Sequence, residues 1–283
     1  MSEKEVLIIR GQGDGIVGWS PDIVVGVDFG MTYTGKPACR AIFLCFRLPL
    51  AILTNVHIHT GVAYSSAPEW LPPKTIQRWP GKLPGELSNK VPTCIGYDEG
   101  SENVKNWGFL CDTEDKGSNV KEFFKLHLAP QYHDDYPGSP TRREAQCWFR
   151  DYIQCIYRHV VSHFDSTIPQ FVSRQVEFLF SVPTTWKDVR MVEETRKILE
   201  QVICTKTPMH RVSIGLTEAE AAAVYAGNEH YQVKNAHRAL DIRLFSGSYS
   251  FMEQEGDTLL VCDAGGGTTV SSICKNDVFE RIN

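Results

Sequence analysis

Residues 21–30, PDIVVGVDFG, place Ile23, Val24, Val25 and Val27 in one apolar run ended by Gly30, the pattern of a buried β-strand. GVAYSS at 61–66 is a second strand candidate whose natural place is beside the first in a hairpin. Between them, residues 36–60 are apolar but aperiodic and are interrupted by Arg40, Arg47, Pro37 and Pro49. That composition suits neither a strand nor an amphipathic helix. It is also a poor bilayer span, which needs ~20 mainly apolar residues. A Pro- and Gly-rich stretch with Trp70 and Trp79 follows and predicts a surface connection to another lobe.

Further along, KVPTCIGY reads as one short strand, and YDEGSEN and PQYHDDYPGSPTRRE as loops. NVKEFFKLHL carries Val120, Phe123, Phe124 and Leu126 at helical spacing. From Arg143 to His163 the apolar positions Trp148, Phe149, Ile153, Ile156, Tyr157, Val160 and Val161 predict one long amphipathic helix. VEFLFSV predicts a strand stopped by Pro183, and WKDVRMVEETRKILEQV a helix. MHRVSIGLTEAEAAAVYAG predicts a strand running into an alanine-rich helix, and GDTLLVCDAGGGTT a final strand. Strand, helix, strand, helix in succession argues for an α/β fold.

Acidic residues outnumber basic ones for a net charge of −5, and no Lys/Arg cluster recurs along a face, which argues against a nucleic-acid partner. The opening MSEKEVLIIRGQGDG lacks the apolar core of a secretory signal, so a cytoplasmic or nuclear location without membrane insertion is expected. The nine cysteines are scattered without a CxxC pair, the pattern of reduced structural thiols.

Two segments share a chemistry-bearing design: VVGVDFGMTYTG and LLVCDAGGGTT each end an apolar strand in an Asp followed by glycines and threonines. Glycine lets backbone N–H groups approach a phosphate closely, and Thr hydroxyls add donors. An Asp at a strand end can hold Mg²⁺ through water, because that ion keeps part of its hydration shell. Three consecutive glycines after a strand cost backbone entropy without adding packing, which favours a functional reason for Gly265, Gly266 and Gly267.

The pair resembles the two phosphate loops of the actin, sugar kinase and heat-shock protein 70 superfamily, with FLFSVPTTWKDVRMVEETRKILEQV and LTEAEAAAVYAG resembling its first connecting segment. The WPGK and NKVPT stretches are most similar to the divergent heat-shock protein 70-like proteins of fungi. The resemblance runs from about Asp22 to Thr269, with 36–60 excepted. It implies an ATP-binding chaperone domain that takes ATP or ADP with Mg²⁺, with co-chaperones or clients as partners of the full-length form.

By position, the resemblance implies that Asp28 and Asp263 are the metal-site carboxylates, acting through water. Gly30, Thr32 and Tyr33 form the first phosphate loop, and Gly265, Gly266, Gly267 and Thr268 cradle the β- and γ-phosphates. Asp263 orients the attacking water and Glu218 helps order the metal-bound water. Met31 stands where the family has a phosphate-contacting Thr, the Asp expected after the second loop is absent at Val270, and no lysine matches the catalytic one, Lys105 lying nearby without aligning. Impaired hydrolysis is therefore expected.

The implied fold is the first lobe of an actin-like (ribonuclease H-like) ATPase, with a smaller accessory subdomain and a truncated second lobe. Its expected divisions are a flexible N-terminus at 1–21, the first lobe at 22–257 with an accessory subdomain at about 76–142, and the start of the second lobe at 258–283. A half-built cleft of this kind predicts exposed apolar surface. Residues 36–60 interrupt what the family makes as a tight hairpin and are expected to be a translated intron; excising them joins MTYTG to GVAYSS. The competing classes are a non-catalytic interaction protein with a degenerate fold of this type, and a membrane-anchored protein using 36–60.

Overall fold

The structure is a computed structural model, and it describes residues 19–30, 59–113, 119–129 and 138–218 except 184, 185, 187 and 206, together with Ala221 and the backbone of 258–264 and 269–275. Of the residues considered as a membrane segment or intron, 36–60, all but His59 and Thr60 lie outside this set, as does the alanine-rich helix apart from Glu218 and Ala221.

The chain is mixed α/β. Strand β1 (Ile23–Phe29) pairs antiparallel with β2 (His59–Ser66), Phe29 opposite Thr60, as the alternation of both segments predicts. His59 and Thr60 are therefore part of the hairpin rather than of the intervening stretch. Thr60 is fully buried, and its hydroxyl pairs with that of Thr93 at 2.9 Å. Two short strands, β3 (Lys74–Thr75) and β4 (Lys90–Pro92), extend β2. Their connection is less exposed than its Pro/Gly content suggests, because Ile76 and Trp79 turn into the core and the Trp79 indole donates to Ser88 O.

KVPTCIGY is two strands rather than one. It leaves the main sheet after Pro92, and β5 (Ile95–Tyr97) becomes the centre of a second sheet between β6 (Val104–Trp107) and β7 (Val120–Lys121). The helical spacing of 119–128 is likewise misleading. Val120 and Lys121 pair with β5, Phe123 takes a left-handed backbone (φ 57°) that an α-helix cannot contain, and only a 3-10 turn at Leu126–Leu128 follows.

Helix α1 (Arg142–Thr167) forms as its apolar period predicts. Thr141 caps it, accepting from Glu144 N while the Glu144 carboxylate accepts from Thr141 N, and its buried face runs from Ala145 through Phe149, Tyr152, Ile156 and Val160 to Phe164. Strand β8 (Val176–Val182) pairs parallel with β1, helix α2 (Val189–Ile203) crosses back from an Asp188 cap, and β9 (His210–Thr217) pairs parallel with β8. The main sheet thus runs β3-β2-β1-β8-β9, with β4 beside β2.

Alternate residues of β1 and β8 (Ile23, Val25, Val27, Phe29; Val176, Phe178, Phe180) enter one core shared with α1 and α2. Strands β10 (Thr258–Ala264) and β11 (Thr269–Lys275) form a separate antiparallel ladder. Among the described residues, no helix is long and apolar enough to cross a membrane.

Candidate functional site

Because β1, β8 and β9 run parallel, their carboxyl ends lie along one edge of the main sheet, where α/β folds characteristically place ligands. Asp28 and Phe29 end β1. The period of two sends the Phe29 ring into the core and the Asp28 carboxylate to the exposed face. Asp28 Oδ2 accepts from Lys90 Nζ at 2.8 Å, an ion pair in which both side chains are about half exposed.

Next to Asp28, Gly30 is required by space: a Cβ there would sit 2.1 Å from the carbonyl oxygen of His59 on the paired strand. The next members of the first loop, Thr32 and Tyr33, lie outside the described residues.

The centre of this edge is Lys125. Its side chain is 3% exposed, and its ammonium donates to the main-chain oxygen of Phe29 at the end of β1 and to Glu218 Oε1, 2.5 Å away, just past the end of β9. The same Nζ stands 5.0 Å from the centroid of the Phe29 ring. Lys125 thus ties the outer two of the three parallel strands together across the end of β8. Beneath it lies a narrow apolar recess lined by Phe29, Phe149, Phe180, Val182, Trp186 and Leu199. Burying an ammonium costs several kcal/mol unless it is paired and hydrogen-bonded, and here the Glu218 carboxylate and the Phe29 carbonyl both meet it.

Sequence reasoning did not find Lys125. It looked near Lys105, which is on β6 in the second sheet, and it gave 119–128 helical spacing. A signal was nonetheless present: in EFFKLHL a lone lysine stands inside an apolar run.

Of the predicted residues, the fold brings Asp28, Gly30 and Glu218 to one edge of one sheet. Asp263 is in β10, where its backbone pairs with Val270; its side chain, and Gly265, Gly266, Gly267 and Thr268, lie outside the described residues. Among the described residues, no three His, Cys, Asp or Glu side chains gather as a metal cluster, so Asp28 is the one predicted metal-site carboxylate whose surroundings are visible. Compared with family models, curated proteins and solved structures, the chain matches none.

Proposed function

We propose that this chain is a nucleotide-binding domain of the heat-shock protein 70-like type, the first lobe of an actin-like ATPase with an accessory subdomain, binding ATP or ADP with Mg²⁺. The observation that carries this is the buried Lys125 ammonium between the ends of β1 and β9, bonded to the main-chain oxygen of Phe29 and paired with Glu218. An ammonium has three donors; among the described residues two are occupied, by Phe29 O and Glu218, and the third would serve a phosphate oxygen.

Asp28 would hold Mg²⁺ through water, and Glu218, fixed by Lys125, would orient a metal-bound water. Asp263 would orient the attacking water while Gly265, Gly266, Gly267 and Thr268 surround the β- and γ-phosphates. Catalysis in such a site is charge neutralisation and positioning. With Met31 in the first loop and no carboxylate at Val270, binding is retained and turnover is impaired. A cytoplasmic or nuclear location, with clients or co-chaperones as partners of a full-length form, belongs to the same reading.

A second reading, a non-catalytic interaction protein, is favoured by one contact: Lys90 already neutralises Asp28 and would have to be displaced by a hydrated cation. Calorimetric titration of the chain with ATP, with and without Mg²⁺, separates the two. Saturable Mg²⁺-dependent binding that Lys125→Met weakens at least tenfold, with circular dichroism unchanged, supports the nucleotide site. A folded chain that takes up no nucleotide supports the second reading.

A further inference from the structure

Away from the sheet edge, Cys94 and Cys111 meet around one peptide group. Cys94, which with Thr93 links β4 to β5, is 1% exposed, and its thiol donates to Gly108 O at 3.3 Å. The same Gly108 oxygen accepts from Cys111 N at 3.1 Å, and Gly108 N donates to Cys94 O at 3.1 Å, so the turn at 108–111 is folded directly onto Cys94. Both residues therefore contact the same carbonyl oxygen, and the Cys111 sulfur lies 3.9 Å from Asn106 Oδ1. Cys111 is only partly buried and open to a small reagent, whereas Cys94 lies behind it in the core.

We propose that Cys94 and Cys111 form a peroxide-responsive thiol pair, Cys111 attacking the oxidant and Cys94 resolving it to an intramolecular disulfide. The environments of the two sulfurs agree with this division. The neighbouring Cys94, with the Gly96 backbone, holds the Cys111 thiol below its ordinary range; proximity to Cys111 and burial push Cys94 up. Burial pushes Cys155 up to about 11 and raises Cys204 as well. Thiolate character and access together select the sulfur that reacts first.

In the first step the Cys111 thiolate attacks one oxygen of hydrogen peroxide and the O–O bond breaks. This leaves Cys111 as a sulfenic acid and releases hydroxide, which takes up the thiol proton as water. In the second, the Cys94 sulfur attacks the sulfenic sulfur: the S–S bond forms, the S–O bond breaks, and a second water leaves with the Cys94 proton. Two thiols and one peroxide give one disulfide and two waters. The disulfide would pin the turn at 108–111 to the junction between the two sheets, one residue from the buried Thr93–Thr60 pair. This inference does not depend on nucleotide binding.

The test treats the reduced full chain with hydrogen peroxide and maps cross-linked peptides by mass spectrometry under non-reducing conditions. The expected product joins Cys94 to Cys111. Cys111→Ser should slow the first thiol oxidation at least tenfold, and Cys94→Ala should leave a Cys111 sulfenic acid that a cyclic-dione reagent captures. If Cys94→Ala fails to fold, the alkylation rate of Cys111 against Cys147 in the unsubstituted chain decides the order of attack. A dominant cross-link between other cysteines, unchanged oxidation in Cys111→Ser, or alkylation of Cys111 no faster than of Cys147 would each overturn the proposal.

Discussion

Lys125 and Glu218 are unequal partners. The lysine side chain is 3% exposed and the glutamate 23%, so each leaves a different residue behind when the other is removed. Glu218→Ala strands a buried ammonium, which costs roughly 3–5 kcal/mol for a fully desolvated charge. Lys125→Met fills the recess with an apolar chain of similar length and leaves a carboxylate that can reach water, costing about 1–2 kcal/mol. Urea unfolding of the two variants should therefore show the glutamate substitution to be the more damaging. The reverse order would mean that the ammonium is not held as described. Gly30 makes a simpler claim. An alanine Cβ there would meet the His59 carbonyl oxygen at 2.1 Å, so Gly30→Ala should cost on the order of 1–3 kcal/mol by forcing the hairpin apart, read as a lowered urea midpoint with an unchanged slope.

Among the elements, α1 carries the clearest local instructions: its apolar face at helical spacing was legible, whereas Thr141 and Glu144, which form its Thr-x-x-Glu cap, were read as loop. Thr141→Ala should cost about 1 kcal/mol, seen as a lower thermal midpoint. Strand β9 is joined to α1 by a buried polar contact, Tyr157 Oη to His210 Nδ1 at 2.8 Å. Burial lowers the His210 pKa to about 4, below the ~6.5 of an unfolded chain. The unfolded state therefore binds the extra proton first. Stability contributed by the neutral imidazole is complete above about pH 6.5 and is lost as pH falls through about 4, by on the order of 2–3 kcal/mol. Denaturation of His210→Gln beside the parent chain at pH 7 and pH 4.5 checks this: the difference between them should shrink toward the acid side. The segment 119–128 shows the limit of local evidence. Its apolar spacing fits a helix, yet β5 offers Val120 and Lys121 a ladder, and the left-handed Phe123 turns the chain so that Lys125 enters the core.

For the whole molecule, a ligand that binds only the folded state adds about 2.7 kcal/mol at a hundredfold excess over its dissociation constant. Thermal unfolding with saturating ATP and Mg²⁺ should rise accordingly if the proposed site is built, and stay level if it is not. What the sequence determined by itself was the set of elements whose order is local: β1, β2, α1, β8, α2, β9 and β10 were each visible as apolar runs or helical spacing, with stops at Gly30 and Pro183. It also marked Asp28, Gly30 and Glu218 as residues of interest. Only the tertiary structure decided that KVPTCIGY divides between two sheets, that β6 and β7 exist as partners of β5, and that a lysine from an apparent helix reaches between β1 and β9. It also put Cys94 and Cys111, solitary in the sequence, against the same carbonyl. The physical reason is common to all of these. Short strands and buried charges draw their stability from partners far away in the chain, and periodicity reports only which face of a segment is apolar, not what that face or an ammonium at its edge will meet.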